Sequence, residues 1–233
     1  MIGKKEALAN ATQKTMLGDQ IVDMNEAEYL GKLRDHVIET RRIFSEAMKP
    51  ERERMVCRAF LRCLGVAFSD CEIQAPAQEP VDVIFRSASF QIRELMEPNC
   101  KRGDELKEFQ QKIAKSSSIE DLMTSYQPPS PMSLSQLAVE VKNALTEKCQ
   151  KYGRGCNDLD ALVYVNLSDT YLNASSNFPD LSDLRAQGWR SVSVLFAPYS
   201  LVLCATGSAP SFLRASEGCS LARWDDLDRL FQK

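Results

Sequence analysis

Residues Pro80–Leu95 read PVDVIFRSASFQIREL and have the most informative local pattern in the chain. The stretch contains two largely apolar runs, Val81–Phe85 and Phe90–Leu95, separated by the sequence Arg-Ser-Ala-Ser of residues 86–89. Short runs rich in β-branched and aromatic residues predict strands, and the intervening residues are typical of a turn. The stretch therefore predicts an antiparallel β-hairpin.

Four polar side chains interrupt the apolar pattern of this hairpin, those of Asp82, Gln91, Arg93 and Glu94. Successive side chains of a strand point to opposite faces, so Gln91 and Arg93 share one face of the second strand. When the apolar faces of the two strands are matched, Asp82 projects on the same side as Gln91 and Arg93. The hairpin therefore predicts a polar cluster within the sheet.

The preceding helix supplies a second carboxylate to this cluster. Pro50 and Gly65 mark the boundaries of a predicted helix over about 51–64. At 100° per residue, Glu53 falls in a stripe about 80° wide that is otherwise apolar and contains Cys57, Phe60, Leu61 and Leu64. We therefore expect Glu53 on the buried face of the helix, close to Asp82.

Two interpretations of this cluster stay open, because buried carboxylates require a positive partner. In the first, Glu53, Asp82 and the amide of Gln91 surround a metal cation. In the second, Arg93 neutralises both carboxylates as a partly buried ion pair, and no metal binds. Glu94 is an alternative acidic ligand if a bulge shifts the strand by one residue.

The rest of the chain alternates predicted helices and strands. Helices are predicted over 24–48, 104–115, 134–152, 180–187 and 222–231, and further strands over 66–74, 159–167, 191–197 and 200–206. The proline-rich stretch 127–135, QPPSPMSLS, is predicted to be a surface loop. This order predicts an α/β sandwich with a central mixed β-sheet flanked by helices and an N-terminal helical extension. We expect an N-terminal arm and helix over 1–48 and an α/β domain over 49–233.

Composition and charge limit the classes of protein that need to be considered. The 233 residues are 44% hydrophobic and 26% charged, as in ordinary globular proteins. No apolar run approaches the roughly 20 residues of a membrane helix, and residues 1–23 are too polar for a secretory signal, so we expect a cytoplasmic protein without a membrane partner. The net charge is −3. The basic stretches 49–62 and 101–115 are compatible with a positive groove or with solvated helix faces of mixed charge.

The cysteines and the single histidine disfavour several kinds of site. The chain has eight cysteines, which we expect to be reduced thiols because no export signal accompanies them. Their spacing does not match a structural zinc site. The only histidine is His36, and no nucleophile-elbow motif accompanies it, which disfavours Ser-His-Asp and Cys-His chemistry.

The residues of the cluster carry a resemblance to a known superfamily. Glu53 on a helix, Pro80 and Asp82 on a strand, eight intervening residues, and the triplet Gln91-x-Arg93 resemble the PD-(D/E)XK nucleases, which have the restriction-endonuclease-like fold. The stretch DVIFRSASFQIREL is also similar to a bacterial family of uncharacterised proteins described as putative endonucleases. The resemblance covers about 51–167.

The resemblance implies a metal-dependent nuclease that hydrolyses phosphodiester bonds in nucleic acid, with DNA favoured over RNA. Asp82, Gln91 and Glu53 are then the ligands of magnesium or manganese, and Arg93 takes the place of the superfamily's lysine. Two departures matter, because glutamine is a neutral ligand and arginine cannot act as a base. They leave open a second hypothesis, a catalytically inactive nuclease-like domain that binds nucleic acid or a protein. Self-association through the helix over 24–48 is a further expectation.

Overall fold

The computed structural model describes residues 24–77, 79–97, 102–123, 128–167, 169–175 and 177–222. These residues form two compact units. The first unit takes in the described residues up to 40 and those of 106–124, and the second takes in 41–105 and those from 125 onward. The predicted boundary after residue 48 stays a prediction.

The described part of the chain contains the following helices and strands, in chain order. The helices are α1 (Glu26–Ile43), α2 (Lys49–Cys63), α3 (Arg102–Lys115), α4 (Leu134–Tyr152), α5 (Ser182–Arg185) and α6 (Ser211–Ala215). The strands are β1 (Ile73–Gln74), β2 (Val83–Phe85), β3 (Ala88–Leu95), β4 (Ser130–Ser133), β5 (Asp160–Val165), β6 (Thr170–Asn173), β7 (Ser191–Phe196), β8 (Tyr199–Ala205) and β9 (Ser220–Ala222).

The first unit is helical and is held partly by side chains that bond to backbone groups. The guanidinium of Arg34 donates to the carbonyl oxygens of Ile113 and Ser116, at 3.5 and 3.1 Å. The carboxylate of Glu26 accepts the backbone N–H of Ile119 at 2.6 Å. These bonds tie the first part of α1 to the end of α3 and the segment that follows it.

The second unit is built on a seven-stranded mixed sheet in the order β1-β2-β3-β5-β7-β8-β9. The central strands β3, β5 and β7 are parallel, whereas the pairs at both sides are antiparallel. Such a sheet flanked by helices is the α/β architecture expected from the sequence. A separate parallel pair is formed by β4 and β6.

Helices α2 and α4 cover the sheet through different sets of core residues. Phe60 and Leu61 of α2 pack with Phe85 and Phe90 of the hairpin, and the rings of Phe60 and Phe90 meet edge to face at 6.0 Å. A second apolar cluster joins α4 to the alternate residues of β5 and β7, and includes Leu137, Val141, Leu145, Ala161, Val163 and Val194. The hairpin therefore lies in a three-layered core.

The boundaries of the main helices follow local signals. Helix α2 has Pro50 in its first turn, and Gly65, just beyond its end, has a φ of 74°. Helix α4 begins after Ser133, whose hydroxyl accepts the N–H of Gln136, and ends at Gly153, with a φ of 54°. Proline suits a first turn, and glycine adopts positive φ without strain, so these boundaries lie where the sequence predicts them.

Two predictions about local structure are wrong. Only Ile73–Gln74 of the predicted strand 66–74 is extended in the sheet, and Asp70–Glu72 form a 3₁₀ turn closed by Ser69 and Glu72. The predicted loop over 127–135 contains β4, because Ser130–Ser133 pair with β6 across a sequence separation of about 40 residues. The predicted helix over 222–231 lies outside the described residues, apart from Ala222, which belongs to β9.

Two further findings bear on the expectations from composition. The described cysteines are all free thiols. Among the described residues, no helix is both long enough and apolar enough to cross a membrane.

Candidate active site

A cleft of about 1110 Å³ opens in the second unit beside the predicted polar cluster. Its lining includes the first two turns of α2, residues 91–97 on and after β3, and one side of α4. Asp82, just before β2, also reaches the cleft. The cleft therefore gathers side chains from the helix and the hairpin that the sequence singled out.

Asp82 and Gln91 face each other across the hairpin. The register pairs Val83 with Phe90, and the N–H of Asp82 donates to the carbonyl of Phe90 at 2.9 Å, which sets Asp82 opposite Gln91. Both residues are buried, with exposed fractions of 9% and 3%. The structure thus brings this pair together on one side of the sheet.

Two donors hold one oxygen of the Asp82 carboxylate. The side-chain amide of Gln91 and the backbone N–H of Ile92 both donate to Oδ2, the latter at 2.7 Å. At its other end, the Gln91 amide oxygen accepts the hydroxyl of Tyr152 at 2.8 Å. The orientation of Asp82 is therefore set by β3 and by the end of α4.

Glu53 approaches Asp82 from α2, and a lysine lies beside both carboxylates. The Lys49 ammonium is 3.5 Å from Oε1 of Glu53 and 3.8 Å from Oδ1 of Asp82. The side chain of Glu53 is only 13% exposed, whereas that of Lys49 is 46% exposed. We call Lys49, Glu53 and Asp82 the carboxylate cluster.

The electrostatics of the carboxylate cluster show a shortage of positive charge. Burial and the neighbouring charge of Asp82 raise the pKa of Glu53 to about 7, against the opposing attraction of Lys49. Burial lowers the pKa of Lys49, but attraction to Glu53 and Asp82 outweighs it and raises that pKa above its ordinary value. Glu53 is therefore only partly ionised near neutral pH.

Arg93 does not take the position that the sequence predicted for it. It shares a face of β3 with Gln91, but its guanidinium pairs with Glu147 of α4 at 3.8 Å, and both side chains are exposed. Two residues along a strand span nearly 7 Å, which carries Arg93 away from Asp82. The interpretation in which Arg93 neutralises Glu53 and Asp82 is wrong, and Lys49 is the cation beside them.

The other predicted ligands also have defined partners. Both ends of the Gln91 amide form hydrogen bonds: the nitrogen donates to Asp82, and the oxygen accepts from Tyr152 of α4. The carboxylate of Glu94 accepts the side-chain amide of Asn166 at 2.7 Å. Gln91 therefore orients Asp82, and Glu94 lies on the alternate face of β3.

Sequence reasoning missed two residues of this site, Lys49 and Tyr152. A signal for Lys49 was present, because residues four apart on a helix are neighbours and Lys49 precedes Glu53 by four. No comparable signal exists for Tyr152, because it is 61 residues from Gln91 in sequence and lies at the end of α4.

The charge of the cleft is acidic on balance. Seven acidic residues line it, Glu46, Glu53, Glu79, Asp82, Glu94, Glu97 and Glu140, against four basic ones, Lys49, Arg52, Arg93 and Lys148. In the described part of the chain, no group of three or more His, Cys, Asp or Glu side chains is arranged to hold a metal ion. A cation in this cleft therefore has at most the two carboxylates of the cluster as close acidic ligands.

Comparison with known proteins gives a family. Residues 25–225 match the family described as "Putative endonuclease, protein of unknown function (DUF1780)". The chain belongs to this family. The match includes α1 to β9 and thus every residue of the carboxylate cluster.

One solved structure is similar over most of the chain. It is titled as a protein of unknown function, PA4535, from Pseudomonas aeruginosa strain PAO1, of the monooxygenase superfamily. The two chains are 29% identical with a TM-score of 0.61, and the similarity covers 86% of this chain and 97% of the other. Among curated proteins, none is significantly similar to this chain.

Proposed function

We propose that this protein is a nuclease of the PD-(D/E)XK type, which hydrolyses phosphodiester bonds of nucleic acid at the carboxylate cluster. The observation that carries the proposal is the meeting of Glu53 and Asp82 at one ammonium on the wall of a large cleft. These carboxylates come from a helix and a hairpin arranged as the superfamily resemblance implies. The family description as endonucleases supports the same class of reaction.

The carboxylate cluster fits magnesium or manganese better than a softer metal. Magnesium is usually held by one or two carboxylates together with substrate phosphates and water, and the cluster offers the oxygens of Glu53 and Asp82. Because the pKa of Glu53 is raised to about 7, its carboxylate is partly protonated near neutral pH, and additional positive charge beside it is favoured. When bound there, the metal supplies stabilisation of the negative charge that develops on the phosphate.

The protein's own side chains have distinct tasks in this proposal. Asp82 presents Oδ1 to the cluster while Gln91 and the N–H of Ile92 fix Oδ2. Lys49 is a donor to a phosphate oxygen, since its ammonium is nearly half exposed beside both carboxylates. Arg93, whose pairing with Glu147 is exposed and weak, is available to contact a neighbouring phosphate.

The acidic balance of the cleft supports a requirement for a divalent cation in substrate binding. A polyanion that enters a cleft with more carboxylates than basic residues is repelled unless positive charge enters with it. A divalent cation at Glu53 and Asp82 reduces this excess. We therefore propose that nucleic acid, with DNA favoured, binds productively only when the cation is present.

The same acidic balance favours one alternative, the catalytically inactive domain. In this alternative Lys49 is the permanent counter-ion of Glu53 and Asp82, and the cleft binds a basic segment of a protein partner. The solved relative is described as belonging to the monooxygenase superfamily, a redox class, whereas the cluster consists of carboxylates and an ammonium suited to hydrolysis. The two hypotheses therefore differ in whether a divalent cation replaces the proton of Glu53.

Cleavage assays on the purified chain test the proposal. Single- and double-stranded DNA and RNA are incubated with Mg²⁺, with Mn²⁺ and with a chelator, for wild type and Glu53→Gln purified in parallel. We expect cation-dependent cleavage by wild type and a rate at least about a hundredfold lower for Glu53→Gln, as for loss of a charge-stabilising group. Absence of cleavage of all four substrates, together with no binding of either cation, would contradict the proposal and favour the inactive domain.

A further inference from the structure

We propose that Tyr152 is a positioning residue for the Asp82 carboxylate and acts on it through Gln91. This inference depends on the proposed function only in treating Asp82 as a residue of the site. It starts from two consecutive hydrogen bonds, from the Tyr152 hydroxyl to the Gln91 amide oxygen at 2.8 Å and from the Gln91 amide nitrogen to Asp82 Oδ2. The two bonds connect the last residue of α4 with the carboxylate cluster.

The orientation of the Gln91 amide group depends on its two neighbours. Its NH₂ group needs a hydrogen-bond acceptor, and its oxygen needs a hydrogen-bond donor. The NH₂ group of Gln91 donates to the Asp82 carboxylate and therefore faces Asp82. That orientation directs the amide oxygen to α4, where Gln91 is 3% exposed and water is largely excluded. A donor is required there, because an unsatisfied buried carbonyl is costly. The Tyr152 hydroxyl meets this requirement.

The surroundings of Tyr152 make its hydroxyl a donor toward Gln91. The Lys148 ammonium lies 3.4 Å from the hydroxyl oxygen. An ammonium has donors only, so the hydroxyl accepts from Lys148 and directs its own proton to Gln91. The bonds from Lys148 to Tyr152, Gln91 and Asp82 thus all point in one direction, and such chains strengthen one another.

This series of hydrogen bonds places the two oxygens of the Asp82 carboxylate in different surroundings. Oδ2 of Asp82 is held by Gln91 and by the N–H of Ile92. Oδ1 is directed to the cluster, 3.8 Å from the Lys49 ammonium. Without Tyr152, the Gln91 amide loses the partner that fixes its orientation, and Asp82 gains rotational freedom. The role of Tyr152 is therefore to direct one oxygen of Asp82 into the cleft.

The test uses the side-chain amide of Gln91 as a spectroscopic probe. Its ¹H and ¹⁵N resonances are assigned by their loss in Gln91→Leu and are then followed in Tyr152→Phe, which removes only the hydroxyl. Tyr171→Phe is the matched control, because Tyr171 is exposed and lies on β6. Thermal melting verifies that each variant is folded.

We expect Tyr152→Phe to move the Gln91 amide resonances and to speed exchange of these protons with solvent about fivefold, as for the loss of one hydrogen bond. We also expect the ¹³C resonance of the Asp82 carboxyl group to move in Tyr152→Phe alone. A general loss of stability would not select these two groups. Unchanged Gln91 and Asp82 resonances in folded Tyr152→Phe, or equal changes in Tyr171→Phe, would overturn the inference. Because the readout needs neither metal nor substrate, failure of the nuclease proposal would be recognised separately.

Discussion

Asp82, just before β2, lies opposite Gln91 of the antiparallel strand β3, and the Gln91 amide donates a hydrogen bond to the Asp82 carboxylate. A glutamate in place of Gln91 could not make this bond without taking up a proton. Gln91 therefore stabilises the Asp82 carboxylate by a hydrogen bond. It also limits the site to two acidic residues, where a glutamate at this position would make three.

Gln91→Glu is expected to lower the stability of the cation-free protein and to strengthen its binding of a divalent cation. The variant loses the donor to Asp82 and places a third carboxylate beside Glu53 and Asp82, so we expect the free energy of unfolding to fall by about 2–3 kcal/mol in a chelator. Millimolar Mn²⁺ should restore more stability to the variant than it adds to wild type. Urea unfolding with and without Mn²⁺ measures both effects.

The control for this prediction is Gln111→Glu, the same change at an exposed position of α3. It should alter neither the stability in chelator nor the response to Mn²⁺ by more than about 0.5 kcal/mol. Equal responses of Gln91→Glu and Gln111→Glu would show that Gln91 does not face the cation site.

The pKa of Glu53 predicts a defined dependence of stability on pH. Folding raises this pKa from an ordinary 4.5 to about 7, so the folded state binds the proton more tightly than the unfolded state. The contribution of Glu53 to stability is therefore fully present below pH 4.5 and is lost as the pH rises through about 7. Urea unfolding at several pH values measures this contribution as the difference in the free energy of unfolding between wild type and Glu53→Gln.

We expect Glu53→Gln to gain stability relative to wild type between pH 4.5 and about 7, with no further change above that range. The neutral amide has no proton to lose, so the difference between the two proteins isolates this one group. Glu140→Gln, an exposed change on the same cleft wall, is the control. A difference between wild type and Glu53→Gln that does not vary with pH would contradict the account of Glu53.

Lys49→Met is expected to strengthen divalent-cation binding while it weakens cleavage. Without the ammonium, the carboxylates lose their internal counter-ion and favour an external one, so the affinity for Mn²⁺ should rise. Cleavage should fall because the proposed donor to the phosphate is gone. Calorimetric titration with Mn²⁺ and initial cleavage rates provide the two readouts.

The matched control is Lys142→Met on α4, where the ammonium pairs with exposed Asp183. It should leave cation affinity and cleavage close to those of wild type. If Lys49→Met bound Mn²⁺ no better than Lys142→Met, the ammonium would not share the position of the cation.

The choice of metal is a fourth prediction. Carboxylate oxygens are hard ligands, so Mg²⁺ and Mn²⁺ should stabilise the folded protein by about 1.4 kcal/mol at ten times their dissociation constants. The binding should weaken as the pH falls below about 7, because the proton on Glu53 competes with the metal. Thermal melting at two pH values tests this, and stabilisation that persists in Glu53→Gln would place the metal elsewhere.

The sequence predicted those parts of the fold that depend on local chemistry. Helix α4 was predicted from its apolar periodicity and its glycine end, and the hairpin from its alternating pattern. Strand β4 was missed because its proline and serines are typical of a loop, and its pairing with the distant β6 has no local signal. Elements that exist only through pairing with remote segments are not predictable from local pattern.

The candidate site shows the same division. The alternation along the strands and the apolar stripe of the helix predicted that Asp82, Gln91 and Glu53 lie close together. The positions of Lys49, Arg93 and Tyr152 depend on how α2 and α4 pack on the sheet, which no spacing rule describes. Of the two interpretations that the sequence left open, the one with Arg93 as the counter-ion is therefore wrong, although the need for a positive partner was inferred from burial.

The sharpest test of a nuclease site at the carboxylate cluster compares the rates of phosphodiester cleavage by Asp82→Ala and Glu140→Ala. Both variants remove one carboxylate from the same cleft, but only Asp82 belongs to the carboxylate cluster. With Mn²⁺ present and folding verified by melting, we expect Glu140→Ala to cleave at nearly the wild-type rate and Asp82→Ala to show no cleavage above background. Cleavage by Asp82→Ala at the wild-type rate would contradict the assignment of the nuclease site.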